Sequence, residues 1–283
     1  MSPVKLSIPV FCFLPLLLAG CTVKVEESAL LHPDHDDALT ATILSQHVEA
    51  VSFEQPDGAV SRGLKITRPD AVATVLYFGS NDFRIDVDGE KYVHYFAPLP
   101  VNLILFDYRG YGRSDGITSV NAVMADTERL YDHVRAETRG PLIVHGLSMG
   151  AFATAHLSAV RPLDAAVIEG TGAALRTMAK RQIPWYAAPF ITLDISPGLL
   201  AIDPEADLRK SSAPILMMTG DRDEEAPRVY AESIAASLPS EQVSLTIVPG
   251  AVHRDSMAHP EALAAYRQFL SRVAARRAVS SSR

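Results

Sequence analysis

The clearest sign of chemistry in this chain is a serine between two glycines. Gly146, Ser148 and Gly150 form a G-x-S-x-G pentapeptide, which follows a short apolar run and precedes an Ala-rich stretch of helical character. In a tight turn from strand to helix, this pattern lifts the serine hydroxyl above the sheet and places a helix N-terminus beneath it. The pattern predicts that Ser148 is a nucleophile.

A serine nucleophile needs a base to accept its proton and a carboxylate to orient that base. In this turn type, the acid and then the histidine follow the serine along the chain. Asp221, Asp223 and Glu225 follow an apolar run and are the candidate acids. Of the nine histidines, only His253 and His259 come later. His253 directly follows the last apolar run, whereas His259 stands at a helix entry, so His253 is the predicted base.

The elements that must position these residues alternate between apolar runs and helical segments. From the third apolar run onward a helical segment separates each pair, which is typical of βαβ units and a parallel sheet. The first two runs are joined by a Gln-Pro-Asp-Gly turn, which favours an antiparallel hairpin at the edge. We therefore predict one α/β domain over residues 47–277 with a short tail at 278–283. The predicted strands are 47–53, 60–67, 73–78, 101–107, 142–144, 165–168, 215–218 and 243–248.

This order of elements and two motifs resemble the α/β-hydrolase superfamily, in particular Bem46-like serine hydrolases. The motifs are Asp-Tyr-Arg-Gly-Tyr-Gly-Arg-Ser at 107–114, after the fourth predicted strand, and the serine pentapeptide. The resemblance covers about residues 48–269. It implies an α/β-hydrolase fold, with a mostly parallel eight-stranded sheet flanked by helices. It also implies a small cap, at about residues 171–212, between the sixth and seventh predicted strands.

The resemblance also implies roles for individual residues. The family's acid lies in a G-x-x-D-x-x-x-P setting, which Gly220, Asp223 and Pro227 match, so it favours Asp223 over its acidic neighbours. The family's P-G-A-x-H sequence matches residues 249–253 and again indicates His253.

The expected oxyanion hole is made of backbone N–H groups. The resemblance implies the N–H of Met149 and, by position, that of Asn81 in the loop after the third predicted strand. Here the chain departs from the family, because residues 79–82 read Gly-Ser-Asn-Asp where relatives have His-Gly-Asn. A carboxylate at Asp82 would oppose a nearby oxyanion unless it points away.

Together these residues predict a serine hydrolase that acts through an acyl-enzyme on a small-molecule acyl substrate, most often a carboxylic ester. No cofactor and no metal are expected. The alternatives are a thioesterase or an amidase or peptidase of the same fold, and an inactive hydrolase-fold binding module. The altered loop at 79–82 favours the inactive module, whereas the complete set of Ser148, Asp223 and His253 opposes it.

The first residues predict export. Lys5 precedes an apolar run at 8–18 that is too short to span a bilayer, which indicates a signal peptide over 1–20. Leu-Ala-Gly-Cys at 18–21 resembles the lipobox of bacterial lipoproteins, which implies that Cys21 is lipidated and anchors the chain in the cell envelope. Thr22 in place of aspartate favours the periplasmic side of an outer membrane if the host has two membranes. The alternative is an ordinary signal peptide. Cys12 leaves with the signal, so no disulfide forms within the mature chain.

Several other segments have two interpretations. Residues 21–46 are expected to be the lipidated N-terminus and a solvated tether, although the His and Asp residues at 32–37 include possible metal ligands. The glycines at 110–116 match a loose dinucleotide pattern, but a structural turn is favoured. A net charge of −7 argues against a nucleic-acid partner.

The predicted cap adds two groups of side chains. The apolar ones are expected to line an acyl pocket or, for most of them, to form the packing face of the cap; they are Trp185, Tyr186, Phe190, Ile191 and Leu193. Arg176, Lys180 and Arg181 recur at helical spacing. They form a solvated face or, as a lesser alternative, contact an anionic substrate.

Overall fold

The computed structural model describes residues 21–34 and 48–281, with side chains through residue 276. The predicted signal peptide at 1–20 therefore lies outside the described residues. Within the described part, no helix is long and apolar enough to cross a membrane. The strands are β1 Cys21–Val25, β2 Val48–Glu54, β3 Val60–Ile66, β4 Ala73–Phe78, β5 Val101–Phe106, β6 Leu142–Leu147, β7 Ala165–Glu169, β8 Ile191–Ile195, β9 Ile215–Gly220 and β10 Val243–Val248. The helices are α1 Ile85–Phe96, α2 Val120–Glu137, α3 Met149–Val160, α4 Leu175–Arg181, α5 Pro197–Leu200, α6 Pro204–Leu208, α7 Val229–Ala236 and α8 Pro260–Ser281.

Eight strands form the main sheet in the order β10-β9-β7-β6-β4-β5-β3-β2. All neighbours from β10 to β5 are parallel, and β3 joins β5 and β2 antiparallel. The predicted fold class is confirmed. β6 and β9 run further than predicted, to Leu147 and Gly220, because polar and small residues at these ends still pair with neighbouring strands.

The central strands are mostly apolar because helices cover both faces of the sheet. Every residue of β4 and β6 is buried. Alternate side chains enter two separate cores: Leu76 and Val144 pack with α2 and α3, whereas Val75 and Ile143 pack with α1 and α8. Packing on both faces keeps the carboxyl ends of the parallel strands together along one side of the sheet, where the predicted site residues lie.

The segment at residues 21–34 packs against the domain. β1 pairs in parallel with β8, and Leu31 is only 5% exposed within the core on the side of α2 and α3. The Glu27 carboxylate accepts a hydrogen bond from the N–H of Val120, where α2 begins (2.8 Å). The prediction of a solvated tether is therefore wrong for residues 21–34, because apolar side chains there find partners far along the chain. Residues 35–46 lie outside the described part.

The cap lies between β7 and β9, where it was predicted. It contains α4, β8, α5 and α6, and α6 packs on α3. β8 is not one of the predicted strands; it forms a two-stranded sheet with β1, separate from the main sheet. The cap is thus joined to the first described residues of the chain by backbone hydrogen bonds.

Candidate active site

Ser148 occupies a strained turn between β6 and α3. Its φ is 56°, and it is the only non-glycine residue with positive φ in the described part of the chain. A Cβ on Gly146 would lie 1.9 Å from the carbonyl oxygen of Gly150, and one on Gly150 would lie 2.0 Å from that of Phe78. Both glycines are therefore required by close backbone approach. The turn leaves Ser148 partly exposed at the N-terminus of α3, which is the arrangement of a nucleophile elbow.

The elbow is tied to the end of the neighbouring strand. The N–H of Ser148 donates to the carbonyl oxygen of Glu169, the last residue of β7 (2.9 Å). The next residue, Gly170, has a φ of 55°, and a Cβ there would lie 3.1 Å from Cε1 of His253. The end of β7 therefore brings the elbow and the imidazole of His253 to the same place.

Asp223 is the carboxylate that contacts this histidine as an orienting group would. Its Oδ2 lies 2.8 Å from His253 Nδ1, and both residues are 6% exposed. Its Oδ1 accepts from the N–H of Ala226 (2.7 Å), which fixes the carboxylate. Asp221 instead accepts from the N–H of Gly250 (2.7 Å). Glu225, with a side chain 63% exposed, lies 3.8 Å from the other ring nitrogen, Nε2.

His259 belongs to a different neighbourhood. Its Nε2 lies 3.8 Å from Oδ1 of Asp255, four residues earlier. It stands between a short 3-10 turn and α8. The described geometry therefore associates His253, and not His259, with the acid loop.

The predicted oxyanion loop packs directly on the elbow. The carbonyl oxygen of Gly79 accepts from the N–H of Gly150 (3.0 Å) and from the hydroxyl of Tyr108 (2.8 Å). These bonds bring the segment that carries Asn81 to the first turn of α3, which begins with Met149. The structure thus brings together the two segments predicted to supply the oxyanion donors.

The departure from His-Gly-Asn has a structural reason. A Cβ on Gly79 would lie 2.2 Å from Cγ of Phe83, which is fully buried. Because the Phe83 ring occupies this space, the backbone at Gly79 has no room for a histidine side chain. The buried ring packs edge-on against Tyr77, with centroids 5.8 Å apart. The loop is therefore held by an apolar contact in place of a histidine.

The added carboxylate of Asp82 forms an ion pair. It accepts hydrogen bonds from Arg254 and from the hydroxyl of Ser80 (2.7 Å to Ser80). Burial acts to raise the pKa of the Asp82 carboxyl, but the bonds from Arg254 and Ser80 outweigh burial, so its pKa lies below the ordinary value. Since Arg254 follows His253, this ion pair connects the predicted oxyanion loop to the loop of the predicted base.

The glycine-rich loop after β5 is a structural support. Asp107 accepts from the N–H groups of Ile85 (2.7 Å) and Arg113 (3.2 Å), and burial raises its pKa to about 6. A Cβ on Gly112 would lie 2.6 Å from this carboxylate. The hydroxyl of Tyr111 accepts from the N–H of His32 (2.7 Å). These bonds join the loop to α1 and to the first segment, which favours the structural turn over a dinucleotide site.

His145 and Glu169 form a buried hydrogen-bonded pair beneath the elbow, which the sequence did not predict. His145 Nε2 lies 3.0 Å from Glu169 Oε2, and the two residues are 0% and 1% exposed. The rings of Tyr77, Phe96 and Tyr266 surround the imidazole at centroid distances of 5.3, 5.4 and 5.6 Å. The available signal was a titratable residue directly after the apolar run of each of two predicted strands, since such groups are buried only when paired.

The remaining candidates have other surroundings. His32 Nδ1 lies 3.2 Å from Asn81 Nδ2, and Asp34 pairs with Arg84, so these two possible metal ligands already contact protein groups. Residues 35–37 lie outside the described part. The expectation that the aromatic cap residues form a packing face is wrong for Trp185, which is 87% exposed. Tyr186 and Phe190 are also exposed.

Known proteins share this fold and part of this sequence. The family model described as serine aminopeptidase, S33, matches residues 90–195, a range that contains Ser148 but ends before Asp223 and His253. An uncharacterized protein of Mycobacterium tuberculosis is 28% identical over 62% of this chain and 62% of its own length. The chain thus covers less than two thirds of that relative. The bem46 protein of Schizosaccharomyces pombe is 23% identical over 58% of this chain and 56% of its own.

The esterase Pf2001 of Pyrococcus furiosus superposes with a TM-score of 0.62 at 19% identity, covering 87% of this chain and 96% of the esterase.

The sheet order, the elbow and the structural matches define an α/β-hydrolase fold. In sequence, the chain is similar to the bem46 protein over part of its length.

Proposed function

We propose that the protein is a serine hydrolase that cleaves carboxylic esters through an acyl-enzyme. The observation that carries this proposal is the 2.8 Å contact between Asp223 and His253 Nδ1 at the strand edge that also holds the strained elbow of Ser148. This contact leaves the opposite ring nitrogen, Nε2, as the one that can exchange a proton with the serine.

Each proposed role follows from that arrangement. The Ser148 oxygen bonds to the substrate carbonyl carbon while His253 Nε2 takes the hydroxyl proton. Asp223 stabilises the resulting imidazolium, and the N–H groups of Met149 and Asn81 donate to the carbonyl oxygen as it becomes negative. The carbon–oxygen bond to the leaving alkoxide then breaks, and the alkoxide takes the proton from Nε2. Water then attacks the acyl carbon while His253 Nε2 takes a proton from it. The bond to the Ser148 oxygen breaks, that oxygen takes the proton back from Nε2, and the acid is released.

Two classes of substrate have support. The structural similarity to the Pyrococcus furiosus esterase supports an ester. The match to the serine aminopeptidase model supports a peptide with a free amino group as the second candidate. For that candidate, the exposed Glu225 carboxylate, 3.8 Å from His253 Nε2, offers a partner for a substrate ammonium.

The test compares p-nitrophenyl esters of increasing acyl length with aminoacyl p-nitroanilides, together with a fluorophosphonate probe. We expect ester turnover and labelling in the wild type, and a loss of more than about 10³-fold in Ser148→Ala. Ser158→Ala is the matched control, because Ser158 lies on the same helix and its hydroxyl bonds to the carbonyl of Ala155. Labelling that persists in Ser148→Ala refutes the nucleophile. Anilide turnover that depends on Glu225 favours the peptidase instead, and a wild type that neither turns over nor labels favours the binding module.

We further propose that residues 1–20 are a signal peptide and that Cys21 carries lipid in a bacterial cell envelope, on the periplasmic side of an outer membrane where there are two. Support comes from the Leu-Ala-Gly-Cys sequence and from the exposure of Cys21 at the start of β1. Cys21→Ser should abolish incorporation of labelled palmitate, and equal incorporation by this variant would exclude the anchor.

A further inference from the structure

We propose that the cap carries a bilayer-contact surface that docks on an anionic lipid membrane beside the anchor. The proposal rests on the lipidation of Cys21 proposed above and extends it to a defined protein surface. This surface, the cap rim, consists of exposed residues at the end of α4 and between α4 and β8: Lys180, Arg181, Trp185, Tyr186 and Phe190.

The cap rim exposes aromatic side chains that nothing in the described domain covers. Trp185, Tyr186 and Phe190 are 87%, 64% and 45% exposed. The rings of Trp185 and Tyr186 contact each other edge-on, with centroids 6.0 Å apart. Contiguous exposed aromatic surface marks an interaction site. Tryptophan and tyrosine are the side chains enriched at the interface of a membrane with water, because each has an apolar body and a polar tip.

Charge favours lipid as the partner. Arg176, Lys180 and Arg181 lie on α4, and residues 171–193 include no aspartate or glutamate, although the whole chain has a net charge of −7. A basic and aromatic patch on an acidic protein is attracted to anionic headgroups while the rest of its surface is repelled. Part of the Arg181 guanidinium is engaged over the Tyr230 ring, 5.0 Å from its centroid. The exposed Arg176 and Lys180 are therefore the clearest charges for a test.

The position of the anchor selects the membrane over a protein partner. Cys21 is the first residue of β1 and pairs with Ile191, the neighbour of Phe190. Adjacent strands lie about 4.8 Å apart. Lipid on Cys21 would therefore enter the bilayer within a few ångströms of the cap rim, with no linker between the lipid and the folded cap.

Docking in this way would face the candidate site toward the membrane. The cap leaves β7 at Gly170, beside the His253 ring, and Arg181 contacts Tyr230 just beyond the acid loop. Acyl substrate would then come from the bilayer surface, so the substrate class we infer is a membrane-borne ester.

The experiment uses the full chain, lipidated and reconstituted into vesicles of phosphatidylcholine and phosphatidylglycerol with or without brominated acyl chains. Trp185 is the only tryptophan of the protein, so its emission reports the cap rim directly. We expect brominated lipid to lower this emission at least about twofold, as it does for interfacial tryptophan. The matched reporter is Val72→Trp in a Trp185→Phe background. Val72 is 49% exposed and directly precedes β4, so it lies at the amino ends of the parallel strands, whereas the predicted site lies at their carboxyl ends. Emission from a tryptophan at this position should not change.

A second pair of variants tests the charge. Arg176→Gln with Lys180→Gln should recover about half of the lost emission in anionic vesicles, because these charges hold the rim at the headgroups. Arg267→Gln with Arg276→Gln on α8 should have no effect. Trp185→Ser should lower turnover of a long-chain ester in vesicles severalfold and leave turnover of a soluble acetyl ester unchanged.

The possible results distinguish the docking surface, the anchor and the proposed function. Quenching at Trp185 no stronger than at the Val72→Trp reporter, in protein that floats with vesicles and hydrolyses soluble esters, overturns the docking surface alone. Equal effects of the α4 and α8 pairs overturn the role of α4. Wild-type protein that does not float with vesicles overturns the anchor and the docking surface together. Absence of soluble-ester hydrolysis in a protein with quenched Trp185 contradicts the proposed function and leaves docking supported.

Discussion

Leu31→Ala tests whether the first described segment belongs to the folded domain. Leu31 is 5% exposed and packs in the core on the side of α2 and α3, whereas a solvated tether would leave it in water. The carbons removed by the substitution, at about 0.8 kcal/mol each, amount to about 2.4 kcal/mol of lost transfer free energy. A cavity term adds to this value, but a site near the surface can partly collapse. We therefore expect a loss of about 2–3 kcal/mol in the free energy of unfolding.

Urea unfolding followed by circular dichroism measures this loss, and thermal melting should show a fall in Tm of about 4–12 °C for a domain of this size. Leu200→Ala is the control, because Leu200 undergoes the same chemical change but is 46% exposed. Its effect should stay within about 0.5 kcal/mol. If both variants unfold at the wild-type midpoint, Leu31 is not part of the core and the packed first segment is wrong.

Three other predictions concern the site and its supports. Because the pKa of Asp107 is about 6 in the folded protein, above the 3.8 of an unperturbed aspartate, folding takes up a proton between these values. The stability of the wild type relative to Asp107→Asn should therefore fall as pH rises from about 4 to about 6, and urea midpoints that differ by a constant amount across this range would contradict it. Asn81→Ala keeps the proposed backbone donor and should change kcat little, whereas Asn81→Pro removes it and should lower kcat by about 10²–10³; equal damage by both, in variants with wild-type Tm, would implicate the side chain. Gly146→Ala places a Cβ 1.9 Å from the carbonyl oxygen of Gly150 and should cost more than about 3 kcal/mol, whereas Gly140→Ala, with no atom within 4 Å, should be harmless; similar melting curves for the two would show that the elbow tolerates a side chain.

The main sheet was predictable because its strands are buried on both faces. A strand such as β4 is a continuous apolar run, and no helical pattern competes with it. The elbow was predictable because the close backbone approach at positions 146 and 150 allows only glycine there, and these two glycines on either side of Ser148 are visible in the sequence. Features of this kind can be recognised from a short segment of the sequence.

Contacts between distant segments were not predictable from such windows. Asp82 and Arg254 are 172 residues apart, so an acidic residue that seemed to oppose the oxyanion could not be matched with its partner. Similarly, β1 and β8 are only five residues long, β1 is mostly exposed and β8 is only partly buried, so neither has the continuous apolar pattern that predicts a strand. The buried pair of His145 and Glu169 shows the same difficulty, because in the sequence each residue alone looks like the polar end of an apolar run.

The pairing of β1 with β8 also sets an order of events during biosynthesis. The first described strand emerges early, but Cys21 pairs with Ile191, which is made 170 residues later (191 minus 21). Until then β1 has no partner, and non-local strands of this kind form late in folding. If Cys21 is lipidated as we propose, cleavage and acylation there would meet an extended, unpaired chain, whereas a protein that folded first would present Cys21 as the first residue of a paired strand. A slow lipid-modifying step would thus compete with closure of this small sheet, and a pulse-chase comparison of acylation in Ile191→Pro and wild-type protein would measure that competition.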